Sequence, residues 1–367
     1  MSEASDDTKE AAIRREPDDD GLRLAYVDWL QQRGNARGEL GMLQYLLEQK
    51  KLPAGKRSHK APIGSRTDLE HRERELLEKH GELKLELDAE VHWRLGFIDR
   101  VKVNLPEVEA LDETLTALFA HPSARLLRTL ELETEFDDGL DDAIAQLIEL
   151  DRPESLRCFH LSAGELMEPD PEFPATNEWP VVHALNDLIE AVPKMEGLRL
   201  RGRLPEVNVW PSTLRSLAIE TTLLMPNQLE PLLRSSRPNL QSLELWFGKS
   251  LIGLTELQPI LSGRVGSLRR LGLMNTELSD VLVPALAKSP LLKQLEWLSL
   301  AYGTLTDAGG QAIVDAASWF DDVATLDVSE NFLSDDVAEA LSAVCQTVVL
   351  GEQRDESWGL EPAYIER

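Results

Sequence analysis

The chain has 367 residues, of which 42% are hydrophobic, enough for two or three ordinary domains or for one long repeat array. A formal net charge of -27 disfavours nucleic acid or an anionic membrane as the partner, because like charges repel. This charge suits simple solubility or a basic protein partner. The two cysteines, Cys158 and Cys345, make neither a disulfide framework nor a CxxC metal motif.

We expect no export signal in the N-terminal segment. Residues 1–20 are acidic and polar and lack the basic and apolar blocks of a signal peptide. No apolar run in the sequence approaches the roughly 18 residues that cross a membrane. We therefore expect a cytoplasmic protein that binds neither membrane nor nucleic acid.

Residues 1–50 predict a small helical domain. Pro17 ends a first helix, and Asp18–Asp20 can cap a second one. The pair Gly34–Asn35 ends the second helix, and a third helix begins near Arg37. One face of the second helix carries four large apolar or aromatic side chains, those of Leu22, Tyr26, Trp29 and Leu30.

Two further segments precede the first predicted repeat. Residues 51–66 are basic and contain proline and glycine, which predicts a mobile loop. Its basic cluster could contact an acidic partner or nucleic acid, but the charge of the whole chain disfavours this interpretation. Residues 67–96 are predicted to form a helical N-terminal cap on the repeats.

Residues 97–350 repeat one pattern, in which an apolar residue and two variable residues precede an apolar–x–apolar triplet. Clear copies occupy 214–219, 240–245, 268–273 and 295–300. The triplets that begin at residues 243, 271, 298 and 326 are therefore separated by 28, 27 and 28 residues. Such alternation predicts a short strand with one buried face.

An amphipathic helix is predicted after each strand, most clearly at 280–288, 307–317 and 335–344. Each of these three helices opens with Leu, then Ser or Thr, then Asp. Those hydroxyl and carboxylate groups can accept hydrogen bonds from the N–H groups of the first turn. One unit cannot bury its own apolar face, so stacked units are expected to form a parallel sheet with helices outside.

This repeat resembles the ribonuclease-inhibitor class of leucine-rich repeats, most regularly in residues 268–344. The asparagine of that family's turn occurs here as Asn331, while Thr222 and Thr276 occupy the equivalent places in earlier copies. The resemblance covers roughly 97–350. It implies an α/β solenoid with strands on the concave side and helices outside.

The N-terminal helices resemble the bacterial repeat-companion domain, which precedes leucine-rich repeats in many bacterial proteins. The matching residues are Pro17, Asp18, Asp19, Arg23, Leu24, Tyr26, Asp28, Trp29, Leu30, Arg33, Gly34, Arg37, Glu39, Leu43 and Gln44. This resemblance implies an architecture rather than an activity. We expect the domain to cover the apolar end of the array.

Two departures from regular spacing carry separate predictions. The long gap between the triplets at 159 and 198 contains 165–180, which is acidic and rich in proline and predicts an inserted loop. The short gap between 198 and 217 leaves no room for a full helix and predicts an extended segment or a turn. The array could twist or split there. Residues 351–367 are predicted to form a C-terminal cap.

Sequence motifs that form catalytic, phosphate-binding or metal-binding sites in other proteins are not matched by this chain. A phosphate loop that ends at Gly248–Ser250 would need glycine at position 243, where Leu243 stands. The acidic run 131–142 lacks the ligand order of a calcium loop. Cys158 and His160 could form a nucleophile–base pair, but a partly buried thiol near an exposed histidine is the commoner arrangement. We expect no enzyme, no cofactor and no metal.

The expected binding site is the exposed face of the strands. Trp246 is the predicted anchor, because tryptophan on a polar sheet face is typical of binding surfaces. Small residues at Gly272, Ser299 and Ala301 would leave room beside it. An alternative is that Trp246 packs under a neighbouring loop. The candidate partner-binding residues are Trp246, Met274, Arg199, Arg201, Glu220, Glu244, His160, Glu131 and Glu133.

The sequence thus predicts a non-catalytic scaffold or adaptor that binds a protein on its concave face. An alternative function is regulation of a GTPase or another enzyme through the same surface, which rests on the fold resemblance alone. The oligomeric state stays open, with a monomer favoured.

Overall fold

The computed structural model describes residues 6–51, 65–81, 83–85, 87, 89–105, 111–134, 139–163 and 181–354. Its eleven strands form one sheet in which neighbours follow the order of the sequence. Most strands are parallel and helices alternate with them, so the predicted α/β class is confirmed and the alternation is consistent with a repeat fold. The chain divides into two compact units, Met1–Leu132 with Glu149–Cys158, and Glu133–Ile148 with Phe159–Arg367.

The elements of the N-terminal part alternate less regularly than those of the C-terminal part. The first elements are α1 (Asp6–Arg15), α2 (Asp20–Gln32), α3 (Ala36–Lys51), α4 (Arg66–Lys79), β1 (Glu90–Arg94), β2 (Phe97–Leu105), α5 (Leu111–Ala120), β3 (Thr129–Thr134), α6 (Gly139–Glu149) and β4 (Cys158–Ala163). Four short strands, β1 to β4, therefore accompany six helices in this part of the chain.

The remaining elements repeat strand and helix with one interruption. They are α7 (Leu185–Ala191), β5 (Gly197–Arg201), β6 (Ser216–Glu220), α8 (Pro226–Leu233), β7 (Ser242–Trp246), α9 (Leu254–Leu261), β8 (Arg270–Met274), α10 (Ser279–Ala287), β9 (Trp297–Ser299), α11 (Asp307–Asp315), β10 (Thr325–Asp327), α12 (Asp335–Leu341) and β11 (Thr347–Val349). Helices α10, α11 and α12 lie where the sequence predicts them.

The three N-terminal helices are confirmed. The carboxylate of Asp19 accepts hydrogen bonds from the N–H groups of Gly21 (2.7 Å) and Leu22 (3.2 Å), so it caps α2 as expected. Gly34 adopts a φ of 69° after α2, in the left-handed region that glycine favours. Tyr26 is 2% exposed and stacks on Phe97 with 5.5 Å between ring centroids.

A buried arginine links α2 to the strands of the first unit. The side chain of Arg23 is 1% exposed and lies 3.2 Å from a carboxylate oxygen of Asp99 in β2. Burial lowers the pKa of Arg23 to about 10, although Asp99 opposes this shift. Arg128 in turn pairs with Asp18 at 2.6 Å. Asp18 thus holds Arg128 just before β3, while Asp19 caps the start of α2.

Residues 67–96, predicted to be helical, are helical only as far as Lys79. Strand β1 follows and pairs antiparallel with β2. The reversal passes through Leu95 and Gly96, whose φ angles are 49° and 80°. A Cβ atom at Gly96 would lie 2.3 Å from the carbonyl oxygen of Arg37, so only glycine fits. The helical prediction failed because this tight turn makes a hairpin of a short polar segment.

The repeats of the second unit are aligned by their apolar triplets. Leu243, Leu271, Leu298 and Leu326 occupy the same position on four adjacent parallel strands, and each is fully buried. A slip of one residue would move this row to the other face of the sheet. The alternating pattern therefore determines which side chains reach solvent on β5 to β10.

The segment between β5 and β6 contains no helix, as the short spacing predicts. Val207 and Trp210 in this segment are 0% and 2% exposed and fill the space that a helix would cover. Pairing of β5 with β6 runs without interruption from Gly197↔Ser216 to Arg201↔Glu220. Of the two expectations for this place, a twist or a split, the split is therefore wrong. The predicted loop 165–180 and residues 52–64 of the basic loop lie outside the described residues.

Three turns after the strands share one unusual backbone conformation. Asn275, Tyr302 and Glu330 have φ angles of 52°, 60° and 54°. Each residue lies four positions after the leucine that begins its triplet. Non-glycine residues enter this left-handed region at a cost, so the repeated occurrence marks a turn that the fold imposes.

The aspartates at the helix starts bind the following repeat. The carboxylate of Asp280 accepts hydrogen bonds from the backbone N–H (2.9 Å) and the hydroxyl (2.6 Å) of Thr306. Asp307 accepts one from the N–H of Ser334 at 2.8 Å. Of the three expected hydroxyl caps, only Thr306 bonds its own helix. The Ser279 hydroxyl does not cap its helix. It donates to the carbonyl of Thr276 at 3.1 Å and accepts from the N–H of Thr304 at 3.0 Å.

The same type of contact occurs earlier in the second unit. Asp141 accepts hydrogen bonds from the N–H groups of His183 (3.2 Å) and Ala184 (2.9 Å). Close packing accompanies the contact at Asp280, since a Cβ atom at Gly309 would lie 2.3 Å from its Oδ1. Helix starts in adjacent repeats are thus joined by carboxylate–amide hydrogen bonds.

Asn331 joins the turns of two repeats from within the core. Its side chain is fully buried and donates to the carbonyl groups of Leu300, Val328 and Ser329, each at 3.0 Å. Its amide oxygen accepts from the N–H of Leu305 at 3.0 Å. The equivalent Thr276 accepts a bond from Leu278 at 3.1 Å.

Residues 351–354 continue the hydrogen bonding past the last strand. The Gln353 amide donates to the carbonyl of Val328 at 3.0 Å and accepts from the N–H of Leu333 at 3.2 Å. Arg354 donates to the carbonyl of Glu330 at 2.9 Å, and burial lowers its pKa. Residues 355–367 of the predicted C-terminal cap lie outside the described residues.

We expect Asn331→Ala to lower the free energy of unfolding by about 3 kcal/mol, because the buried Leu300 carbonyl and the buried Leu305 N–H lose the Asn331 amide as their hydrogen-bond partner. Asn239→Ala is the matched control, since the Asn239 amide makes one exposed bond to Ser212. Urea unfolding followed by circular dichroism measures both. Equal losses in the two variants would contradict the role of Asn331.

Asp280→Ala is expected to lower the free energy of unfolding by about 2 kcal/mol, because the Thr306 amide and hydroxyl lose a charged acceptor. Asp321→Ala serves as the control, since Asp321 is exposed and forms no hydrogen bond with the described part of the chain. A thermal melt of each variant makes the comparison. If both variants have the same melting temperature as the unaltered chain, the contact between repeats does not contribute to stability.

Candidate functional site

The polar face of the sheet in the second unit presents its side chains in rows, because paired residues on adjacent strands point the same way. One row, read across β5 to β10, consists of Arg199, Ala218, Glu244, Gly272, Ser299 and Asp327. A parallel row contains Arg201 paired with Glu220, and Trp246 paired with Met274.

Four of the predicted binding residues form one ion-paired cluster. Arg199 lies 2.9 Å from Glu244 and 3.5 Å from Glu220, and Arg201 lies 3.7 Å from Glu220. Ala218 stands between Arg199 and Glu244 in the row, and its small side chain lets the arginine reach across β6. The sequence could not show that these charges pair with one another.

The pairing leaves the cluster unevenly exposed. The side chain of Arg199 is 42% exposed, whereas those of Glu220 and Glu244 are 13% and 15% exposed. The carboxylates are held near the sheet and the arginine covers them. An incoming partner would therefore meet an ordered guanidinium group rather than two free acids.

Trp246 is half-buried and contacts an aromatic residue that the sequence analysis did not select. Its ring lies 5.0 Å from that of Tyr302, with 33° between the ring planes. Tyr302 belongs to the turn after β9, two strands away, and adopts the left-handed conformation described above. This aromatic pair, Trp246 and Tyr302, stands on the polar face beside the ion-paired cluster. In the sequence, the only sign of this contact was that an aromatic residue, Tyr302, stands at a turn position.

Met274 is packed into the face rather than presented to solvent. It is 5% exposed, and a Cβ atom at Gly272 would lie 2.9 Å from its Cε. The room that was expected beside Gly272 is therefore filled by Met274. This corrects the prediction that Met274 is available to a partner.

Glu131, Glu133 and His160 do not take part in these contacts. Glu131 belongs to the first unit, where it pairs with Arg100. Glu133 and His160 are half-buried on β3 and β4. The structure thus connects the candidates on β5 to β7 with one another.

Asp327 lies in the same row, and the sequence analysis did not choose it as a binding residue. Its Oδ1 accepts hydrogen bonds from the N–H (3.1 Å) and hydroxyl (2.7 Å) of Ser329. Its Oδ2 accepts from the hydroxyl of Ser299 at 3.3 Å. Asp327 forms no ion pair with any residue that the structure describes.

The helix side of the second unit carries two grooves that the sequence did not predict. One of about 970 Å³ lies between α8 and α9, and one of about 450 Å³ lies between α9 and α10. Pro231, Pro259 and Pro284 interrupt these three helices. Proline has no N–H, so each helix loses one internal hydrogen bond.

The cysteine and histidine that could form a nucleophile–base pair lie on the same strand. Cys158 and His160 are both half-buried in β4. Within the described ranges, no group of three or more His, Cys, Asp or Glu side chains is arranged to hold a metal ion. Among the same residues, no helix is both long and apolar enough to cross a membrane.

Comparisons with known proteins show a fold and no family. No protein-family model matches the chain, and no curated protein matches it. It is similar to a solved structure of a protein from Bacteroides fragilis, with 18% sequence identity and a TM-score of 0.55. The similarity covers 80% of this chain and 86% of that one. At this identity it bears on the fold alone.

We expect a double-mutant cycle on Arg199→Ala and Glu244→Ala to give a coupling of about 0.5–1 kcal/mol, because the pair is partly shielded by neighbours. The control cycle uses Arg269 and Glu296, whose side chains are 61% and 60% exposed. Its coupling should be smaller and should vanish in 1 M salt. Urea unfolding supplies the four free energies of each cycle. A larger coupling free energy for Arg269 and Glu296 than for Arg199 and Glu244 would contradict the expected effect of shielding by neighbours.

Proposed function

We propose that this chain is a cytoplasmic leucine-rich-repeat protein of the ribonuclease-inhibitor class that binds a protein partner without catalysing a reaction. The binding surface is the polar face of β5 to β10. One observation carries the proposal: an aromatic pair and an ordered ion-paired cluster stand together on an exposed row of strands. The N-terminal helices are assigned to the repeat-companion domain.

The repeat assignment is supported by local chemistry. Each full repeat contains a strand, a turn and a helix, and the triplets from 243 to 326 recur at intervals of 27 or 28 residues. Asn331 hydrogen-bonds two successive turns, which matches the role that the family resemblance implies for this position. The similarity to the Bacteroides fragilis structure agrees at the level of fold.

Protein binding is supported by the composition and rigidity of the face. Tryptophan, tyrosine and arginine are the residue types that contribute most binding free energy in protein interfaces. Here Trp246, Tyr302 and Arg199 project from strands and from a fixed turn, so little conformational entropy would be lost on binding. The net charge of -27 favours a basic partner through long-range attraction.

The test is affinity capture from the lysate of cells that produce the protein, with the full chain as bait. We expect one protein to be retained by the unaltered chain and reduced at least about tenfold by the double variant Trp246→Ala, Arg199→Ala, because the anchor and an ordered cation are lost. Purified partner and bait should then reproduce the interaction.

Glu230→Ala with Arg234→Ala is the matched control, since this exposed ion pair lies on α8 beside the larger groove. Circular dichroism should first show that both variants are folded. Capture that survives the face variant and is lost in the control would place the interaction on the helix side and overturn the proposed surface.

A further inference from the structure

We infer that the partner's anchor is an arginine side chain that stacks on the Trp246–Tyr302 pair and ion-pairs with Asp327. This inference rests on the proposed function and specifies the chemistry that the face recognises. It joins an aromatic surface, an ion-free carboxylate and a floor of small residues, all in the second unit.

The carboxylate of Asp327 is positioned for a charged ligand. Two serines hold it, since Ser329 donates twice to Oδ1 and Ser299 donates once to Oδ2. These bonds fix its orientation without neutralising its charge. Glu220 and Glu244, by contrast, are already occupied by Arg199 and Arg201. Among the described carboxylates of the row through Glu244 and Asp327, only Asp327 therefore still lacks a cation.

The aromatic pair is connected to this carboxylate by a short path of bonds. The backbone N–H of Tyr302 donates to the carbonyl of Ser329 at 3.0 Å, and Ser329 bonds Asp327. The ring of Tyr302 turns back across β8 to meet Trp246 at 5.0 Å. An arginine with its stem along the rings would bring its guanidinium group toward Asp327.

The row between Glu244 and Asp327 carries only small residues. Gly272 and Ser299 occupy the two intervening places in the row, and neither has a long side chain. Met274 fills the space beside Gly272 and is itself buried. The row between Glu244 and Asp327 therefore adds no charged group that would compete with Asp327 for a cation.

Arginine fits this arrangement better than a neutral or acidic group. Covering Asp327 with an uncharged surface would remove water from a carboxylate without replacing its interactions, which is unfavourable. A guanidinium group can stack on an aromatic ring and donate to a carboxylate at the same time. The chain makes the same stacking elsewhere, where Arg270 lies 4.3 Å from the ring of Trp297.

The experiment uses the full chain and three synthetic peptides, acetyl-Gly-Arg-Gly-amide and its citrulline and lysine analogues. Ligand-observed NMR titration measures their dissociation constants. We expect millimolar binding of the arginine peptide, on the order expected for one anchor residue, with citrulline at least about tenfold weaker. Lysine should be weaker by a smaller factor, because its ammonium group stacks less well.

Two variants test the assigned residues. Asp327→Asn, which keeps the shape of the side chain, and Trp246→Ala should each weaken the arginine peptide about tenfold. The controls are Asp336→Asn and Trp319→Ala, since Asp336 is exposed on α12 and Trp319 is 50% exposed in another part of the second unit. Both controls should bind as the unaltered chain does.

Several results would overturn the inference: equal binding of the arginine and citrulline peptides, no binding of either, or unchanged binding in folded Asp327→Asn. If any of these occurs while capture of the protein partner still depends on Trp246 and Arg199, the proposed function stands and only the arginine anchor fails. If capture fails but the peptide series behaves as expected, the site exists and the proposed partner class is wrong.

Discussion

The architecture of the second unit depends on satisfying the backbone groups of buried turns with side chains from the next repeat. Each turn between a strand and a helix leaves N–H and carbonyl groups away from water, and an unpaired group there is costly. Asn331 supplies four such bonds inside the core, and Asp280 supplies two at the helix starts. Because both reach across a repeat boundary, neighbouring repeats stabilise one another, and the strand face between them is held in a defined register.

That register determines what the face can recognise. Arg199 reaches Glu244 only because Ala218 stands between them in the row, and Trp246 meets Tyr302 only because the turn after β9 directs the tyrosine backwards. The charges and rings are therefore held in place by contacts within the chain itself. A surface of this kind favours selectivity, since a ligand must match fixed positions instead of reshaping flexible side chains.

The sequence predicted features that repeat and missed features that depend on contact between distant residues. Period and alternation indicated the strands around Leu243 and Leu271 and the helices that follow, because local pattern is enough for both. The pattern also put Trp246 on the polar face. It could not show that Met274 is buried over Gly272, that Asp280 bonds the next helix, or that β1 forms a hairpin with β2, since each depends on packing between residues that no local pattern relates.

The left-handed turn position occupied by Asn275, Tyr302 and Glu330 separates the needs of the scaffold from those of recognition. The fold requires a backbone angle there, and three chemically unrelated side chains meet that requirement. Tyr302 and Glu330 are half-buried there, so their side chains can vary more readily than that of Asn275, which is 3% exposed, while the backbone hydrogen bonds behind them stay unchanged. A related chain could exchange Tyr302 for an acid or an amide and so acquire a different ligand preference at little cost in stability, with its repeats still stacked as they are here.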